Sequence, residues 1–181
     1  MNFARISRLF LVSCWIELSV LLAANPPSDF TLKAPVTGQT FRLSEAKGSY
    51  VVLQFLLKTE CPVCLRHTRS HFLNAEKLKG TIQLFIKPDG TEALTAWARG
   101  LGPEPSPVIY QDPGAALATA FSIPDGYSFH GETVHYPALL ILDPQGREVF
   151  RYVGKDNSDR YSVKQLNQKL AELQANSKDQ P

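Results

Sequence analysis

The chain alternates between short apolar runs and polar, turn-forming stretches, and the apolar positions repeat with two different periods. Tyr50–Leu57 (YVVLQFLL) is almost unbroken apolar sequence, rich in aromatic and β-branched residues, which is the pattern of a strand covered on both faces. Thr81–Lys87 (TIQLFIK) and Ala138–Leu142 (ALLIL) repeat it, and Pro107–Tyr110 is a shorter version. Between these runs the spacing turns helical, over Cys61–Lys77 as far as Gly80, over Glu92–Leu101 before Gly102-Pro103, and over the alanine-rich Gly114–Phe121. Pro62 suits a first helical position, where its missing N–H costs nothing. Phe30–Lys33 and Thr40–Leu43 form a hairpin around Thr37-Gly38-Gln39. Asp143-Pro144-Gln145-Gly146 is turn chemistry that brings Glu148–Val153 back beside Ala138–Leu142. Ser162-Val163-Lys164-Gln165 has the form of a capping box opening a last helix that reaches Leu173.

The resulting order is hairpin, β, α, β, α, β, α, β, β, α. Strands alternating with helices, then a terminal hairpin, predict an α/β fold with a mixed sheet and helices on both faces. Ser122–Tyr136 reads as a long connection with two glycines, three aromatics and two histidines, and connections of that length are more often functional than idle.

Composition narrows the class. With 181 residues, 44% hydrophobic and 20% charged, the chain matches one globular domain and excludes collagen-like, coiled-coil and disordered classes. A net charge of +2 gives no electrostatic case for a nucleic-acid partner. Residues 1–24 stand apart. A basic start with Arg5 and Arg8, an apolar centre broken by Glu17, and the turn Asn25-Pro26-Pro27 form the pattern of a secretory leader, or of an uncleaved anchor holding the chain at a membrane. Leu11-Val12-Ser13-Cys14 also resembles a bacterial lipoprotein box, with Cys14 as a small apolar leader residue in the plainer reading. The expected organisation is a leader over 1–24, one domain over 25–175 and a frayed tail over 176–181.

Two of the three cysteines, in Cys61-Pro62-Val63-Cys64, carry the candidate chemistry. A disulfide stabilises by closing a long loop in the unfolded chain, and a bridge over two residues closes almost none. Redox exchange or metal binding is the better reason for such a pair. A buried strand delivering the chain through Lys58-Thr59-Glu60 to a helix start puts Cys61 where free backbone N–H groups and the helix dipole stabilise a thiolate. Lys58, Arg66 and Arg69 add positive charge and Glu60 opposes it. Cys64, one turn further in, is expected to be more buried and to resolve the mixed disulfide.

At this point the sequence resembles a family. A strand, a short turn, C-P-x-C and a helix look like the thioredoxin fold. The hairpin DFTLKAPVTGQTFRLSE, the inserted strand and helix from Val108 to Phe121, and Tyr136 to Gly146 resemble its bacterial redoxin branch. That branch comprises the extracytoplasmic thiol–disulfide oxidoreductases and the AhpC/TSA peroxiredoxin-like proteins. The resemblance implies a thioredoxin-like mixed sheet with an N-terminal hairpin and a central strand–helix insertion. It further implies a cis-proline at Pro137 facing the cysteines, and backbone hydrogen bonds to substrate from Tyr136, with Thr59 and Glu60 on the groove rim. A protein thiol or disulfide substrate and a redox-recycling partner follow, with no organic cofactor, because the two sulfurs carry the electrons. The family's buried proton-accepting acid has no clear counterpart. Gln54 lies near the right stretch and cannot ionise, and Glu60 is the possible substitute.

Three rival readings remain. A peroxiredoxin-type peroxidase needs P-x-x-x-T-x-x-C, whereas Lys58 and Gln54 precede Cys61, and Cys61 and Leu57 precede Cys64, at those positions. A copper-chaperone module would use Cys61 and Cys64 with His135 or His130 as a third ligand. His67 and His71 are expected as packed or exposed helix residues, and His130 and His135 as loop histidines. An adaptor with the fold and little chemistry has only the missing acid in its favour.

Overall fold

The unbroken apolar runs lie side by side in the middle of one sheet, where both faces are covered. In a computed structural model of the chain, residues 27–58, 62–74, 80–102, 106–129 and 132–178 are described. In chain order their elements are β1 (Thr31–Lys33), β2 (Thr40–Arg42), β3 (Tyr50–Phe55), α1 (Pro62–Leu73), β4 (Thr81–Lys87), α2 (Thr91–Ala98) and β5 (Ile109–Gln111). Then follow α3 (Ala116–Ala120), β6 (Asp125–Phe129), β7 (Glu132–His135), β8 (Ala138–Leu142), β9 (Glu148–Val153) and α4 (Val163–Lys178).

The main sheet has the order β2-β1-β5-β4-β3-β8-β9. β3 pairs in parallel with β4, and β4 with β5, as crossovers through α1 and α2 require. β8 runs antiparallel to both β3 and β9. One face carries Val51, Leu53, Phe55, Leu84, Ile86, Leu140 and Leu142, covered by Leu32 and Phe41 of the hairpin and Ala118 of α3. On the other face Val52, Leu139 and Ile141 pack under Leu166 and Leu170 of α4. Phe85 and Ile109 pack there under Cys64 of α1 and Leu94 and Trp97 of α2. Full burial of each large side chain contributes about 1.5–3 kcal/mol, which makes this three-part core the main stabilising element.

β4, β8 and β9 keep the bounds read from the sequence. β3 leaves the ladder after Phe55, although Leu56 and Leu57 stay buried. The helical stretch 92–101 divides into α2 and a 3-10 turn over Arg99–Leu101. Gly114–Phe121 divides at the left-handed Ala115 (φ 57°) into a 3-10 turn and α3. At the last helix Gln165 N–H donates to Ser162 Oγ (3.3 Å) and Ser162 N–H to Gln165 Oε1 (2.9 Å), the expected capping box. That helix corrects the tail, because it continues to Lys178 and takes 176–178 with it.

The largest correction concerns Ser122–Tyr136. Among its described residues β6 and β7 form a separate antiparallel ribbon, with a bulge between Asp125 and Tyr127, in place of a loop. Its glycine and mixed aromatic-polar sequence hide the alternation, and a bulge breaks the period.

Candidate functional site

The carboxyl end of β3 is fixed by a buried lysine. Lys87, at the end of β4, donates from Nζ to the Leu57 carbonyl (2.5 Å), pairs with Asp89 (3.0 Å) and lies 4.5 Å over the Trp97 ring. Neither Lys87 nor Asp89 is more than 1% exposed. This clamp holds the chain just before the turn to the C-P-V-C segment. Thr59, Glu60 and Cys61 lie outside the described residues, as do His130, Cys14 and the leader over 1–24.

From Pro62 onward the helix presents one face to the sheet. Cys64, Thr68 and His71 are at most 1% exposed, and His67 is partly buried. Their spacing of three and four residues puts them on adjoining helical turns. Beneath them is a polar chamber where the core is otherwise apolar. Gln54, on the α1 side of β3, donates from Nε2 to Gln83 Oε1 (2.8 Å), which leaves its Oε1 to accept from His67 Nε2 (2.8 Å). His71 Nε2–H donates to the Tyr161 carbonyl (3.1 Å), and the two imidazoles stack at 4.1 Å. Burial, with smaller contributions from Arg160 and from His71 when that ring is protonated, pushes His67 down to about 2, and burial pushes His71 down to about 4. Both rings are therefore neutral at physiological pH.

A charged group enters this chamber from the far end of the chain. Arg160, on the segment between β9 and α4, donates from Nη2 to Cys64 Sγ (3.2 Å) and from Nη1 to the Asp159 carbonyl (3.0 Å). Its segment is tied down locally. Asp156 accepts from the backbone of Ser158 (2.7 Å) and Asp159 (3.0 Å), and Asp159 accepts from Tyr152 O–H (2.5 Å) and Lys155 N–H (3.0 Å). The Asp159 carboxylate holds the Tyr152 hydroxyl up at about 12.

Arg160 lines a shallow, nearly filled cleft with Gln54, His67, Pro137, Tyr152 and Tyr161. Pro137 is buried directly before β8, and its carbonyl accepts from Gly154 N–H (2.8 Å). A Cβ on Gly154 would stand 2.6 Å from the Asp159 carbonyl and 2.8 Å from Pro137 Cγ, so only glycine lets these segments meet. Tyr136 is half-buried against Gly126 of β6, where a Cβ would come within 2.8 Å of its ring. Pro137 is thus brought together with Gln54 and Arg160, and Tyr136 sits at the base of the ribbon.

His135 is a strand residue, not a loop histidine, and is 4% exposed. Its Nδ1 lies 2.6 Å from the Tyr136 carbonyl and its ring meets Phe55 edge-on at 6.1 Å. Burial lowers its basicity, opposed by that carbonyl and by Asp112. Among the described residues no group of three or more His, Cys, Asp or Glu gathers as a metal site.

Arg160 and the Gln54–His67 pair did not stand out in the sequence as parts of a site. His67 and His71 carried a weak signal, since helical spacing aligns them with Cys64. Arg160 carried none, because it lies in a polar run 96 residues from Cys64.

Residues 24–149 match the profile of the AhpC/TSA family. No curated protein matches the chain. Among solved structures it is similar to Enterococcus faecalis AhpC (TM-score 0.70, 20% identity, 84% of this chain and 92% of that one). A reduced 2-Cys peroxiredoxin of Plasmodium vivax has TM-score 0.67 at 16% identity, covering 85% of this chain and 96% of that one. The exposed lipoprotein thioredoxin Etrx1 of Streptococcus pneumoniae has TM-score 0.62 at 23% identity, covering 80% and 98%. At these identities the likeness is one of fold, a thioredoxin-like mixed sheet of the redoxin branch.

Proposed function

The chain belongs to the AhpC/TSA family, and from that premise we propose that it is a thiol–disulfide oxidoreductase acting through Cys61 and Cys64. The family makes it an oxidoreductase of the redoxin branch; the C-P-V-C pair supports the narrower reading. The observation that carries it is Cys64, enclosed at 0% exposure in the first turns of α1 with a guanidinium N–H on its sulfur. A second cysteine three positions after the first, shielded from solvent and polarised, is what resolution of a mixed disulfide needs.

In the reducing direction Cys61 thiolate attacks a substrate disulfide, forms a mixed disulfide and releases one substrate sulfur as thiolate. Cys64 thiolate then attacks Cys61 Sγ. The Cys61–Cys64 bond forms, the Cys61–substrate bond breaks, and the second substrate sulfur leaves with the electron pair and takes a proton from solvent. Two electrons pass from the dithiol to the substrate, and a partner dithiol restores the pair, itself becoming a disulfide. Tyr136 and Pro137 shape the groove that receives the substrate, with Thr59 and Glu60 on its rim.

The leader-like residues 1–24, and the likeness to a protein described as an exposed lipoprotein, support action outside the cytoplasm with membrane association through the N-terminus. The missing P-x-x-x-T-x-x-C frame weighs against peroxidase chemistry, although the family contains peroxiredoxins.

The test is a glutathione redox titration of the full chain, with Cys61→Ser and Cys64→Ser controls. A reversible Cys61–Cys64 bridge that neither variant forms is expected. Absence of that bridge at every poise overturns the reading, and rapid peroxide consumption that survives in Cys64→Ser turns it toward a peroxidase.

A further inference from the structure

We propose that Arg160 is a catalytic residue of this site, its guanidinium being the counter-ion that holds Cys64 as a thiolate whenever the cysteine pair is reduced. The inference rests on the thiol–disulfide reading above and adds the group that governs the second sulfur.

The geometry is direct. Arg160 Nη2 donates to Cys64 Sγ at 3.2 Å, within the distance of a hydrogen bond to sulfur, at a side chain with 0% exposure. An N–H donor strengthens when its acceptor becomes an anion, and it does so most where solvent is excluded. An arginine keeps its charge throughout the working pH range, so it stabilises the thiolate without taking the proton.

Among the described groups packed around the pair, Arg160 brings a permanent charge onto the Cys64 sulfur. On α1, His67 and His71 are neutral imidazoles, held at about 2 and about 4. On β3 and β4 the facing polar groups are the amides of Gln54 and Gln83, bonded to each other. At the end of β4, Lys87 and Asp89 are paired together, and Lys58 stands on the turn before Thr59. On the β9–α4 segment, Asp159 is engaged by Tyr152 O–H and Lys155 N–H, Asp156 by Ser158 and the Asp159 N–H, and Tyr161 is un-ionised. The stretch of β3 where the resemblance implies a proton-accepting acid therefore offers an amide, and the sulfur has a fixed positive charge in contact with it.

The consequence concerns direction. In the resolving step Cys64 thiolate gives its electron pair to Cys61 Sγ, the Cys61–substrate bond breaks, and the substrate sulfur leaves with the displaced pair. Arg160 then faces a neutral disulfide sulfur in place of the thiolate. A counter-ion that favours the reduced pair over the bridge makes the couple more oxidising.

The test uses the full chain with Cys14→Ser, so that only Cys61 and Cys64 respond. In a glutathione titration, Arg160→Gln is expected to move the equilibrium about tenfold toward the bridge, equivalent to about 30 mV for a two-electron couple. With Cys61→Ser added, the ultraviolet thiolate absorbance of Cys64 is expected to appear about one pH unit higher in Arg160→Gln, the same tenfold factor. Arg160→Lys, which keeps the charge, is expected between the two. Unchanged equilibrium and unchanged absorbance in folded Arg160→Gln overturn the inference. Should that variant not fold, the Cys61→Ser protein decides alone. Cys64 is then expected to ionise at lower pH folded than in urea, and ionisation at higher pH when folded overturns the inference. A chain that forms no Cys61–Cys64 bridge overturns the redox reading, while the absorbance titration still decides the contact with Arg160.

Discussion

Lys87 has no exposed side-chain surface, and its ammonium is enclosed by the Leu57 carbonyl, Asp89 and the Trp97 ring. Breaking one half of such a pair leaves a buried carboxylate without its counter-charge. Lys87→Met is therefore expected to cost about 3–5 kcal/mol, read as a fall in the urea midpoint. The double variant Lys87→Met/Asp89→Leu should recover part of that loss, and a double variant no more stable than the single one would contradict the pairing. Gln54 poses the neutral version of the problem. Gln54→Leu strands the His67 Nε2–H and the Gln83 amide, and about 1–3 kcal/mol should be lost in the same measurement. At this scale the sequence was only partly legible. The burial of Cys64 followed from helical spacing, but the Gln54–Gln83 bond depends on the parallel register of β3 with β4, and Arg160 on a loop packing across the sheet. No local pattern encodes either.

Among elements, the segment between β9 and α4 does more than connect. Gly154 brings it against Pro137, and six residues later Arg160 reaches Cys64. Gly154→Ala adds a methyl 2.6 Å from the Asp159 carbonyl and 2.8 Å from Pro137 Cγ. Overpacking of that kind costs about 1–3 kcal/mol, visible in urea unfolding. If the contact positions Arg160, the variant's glutathione equilibrium should also move the same way as that of Arg160→Gln; a stability loss with an unmoved equilibrium would separate the two roles. Elements with one strong signal were legible: Thr81–Lys87, Ala138–Leu142 and Glu148–Val153 occupy the bounds their apolar runs and turn residues imply. The ribbon of β6 and β7 was not, because Gly126 and the bulge between Asp125 and Tyr127 interrupt its alternation. His135 reads as a loop residue in the sequence for the same reason.

For the whole molecule, the neutral imidazoles set the response to acid. His67 and His71 are held at about 2 and about 4, below the ordinary 6.5 that they regain when unfolded. Between these values the unfolded chain binds more protons than the folded one, so stability falls as pH falls. The loss should begin near pH 6.5 and involve both rings down to about 4, each contributing up to about 1.4 kcal/mol per pH unit. Urea unfolding across that range should show the slope, and His71→Gln should reduce it by one proton's worth. Asp29, Asp156 and Asp159, held below the usual carboxylate value of 3.8 by hydrogen bonds, add acid sensitivity below that value, whereas Asp112, raised by burial, works the other way above it.

The seven-stranded sheet is unevenly stitched, since β1 meets β5 only at Lys33↔Gln111 whereas β3 meets β4 and β8 along most of its length. Tension applied at the amino-terminal side of β1 would load that weakest seam first. The hairpin would peel away as a unit, and a tethered molecule would yield there like a frayed hem while the strands beneath the cysteine helix stayed clasped.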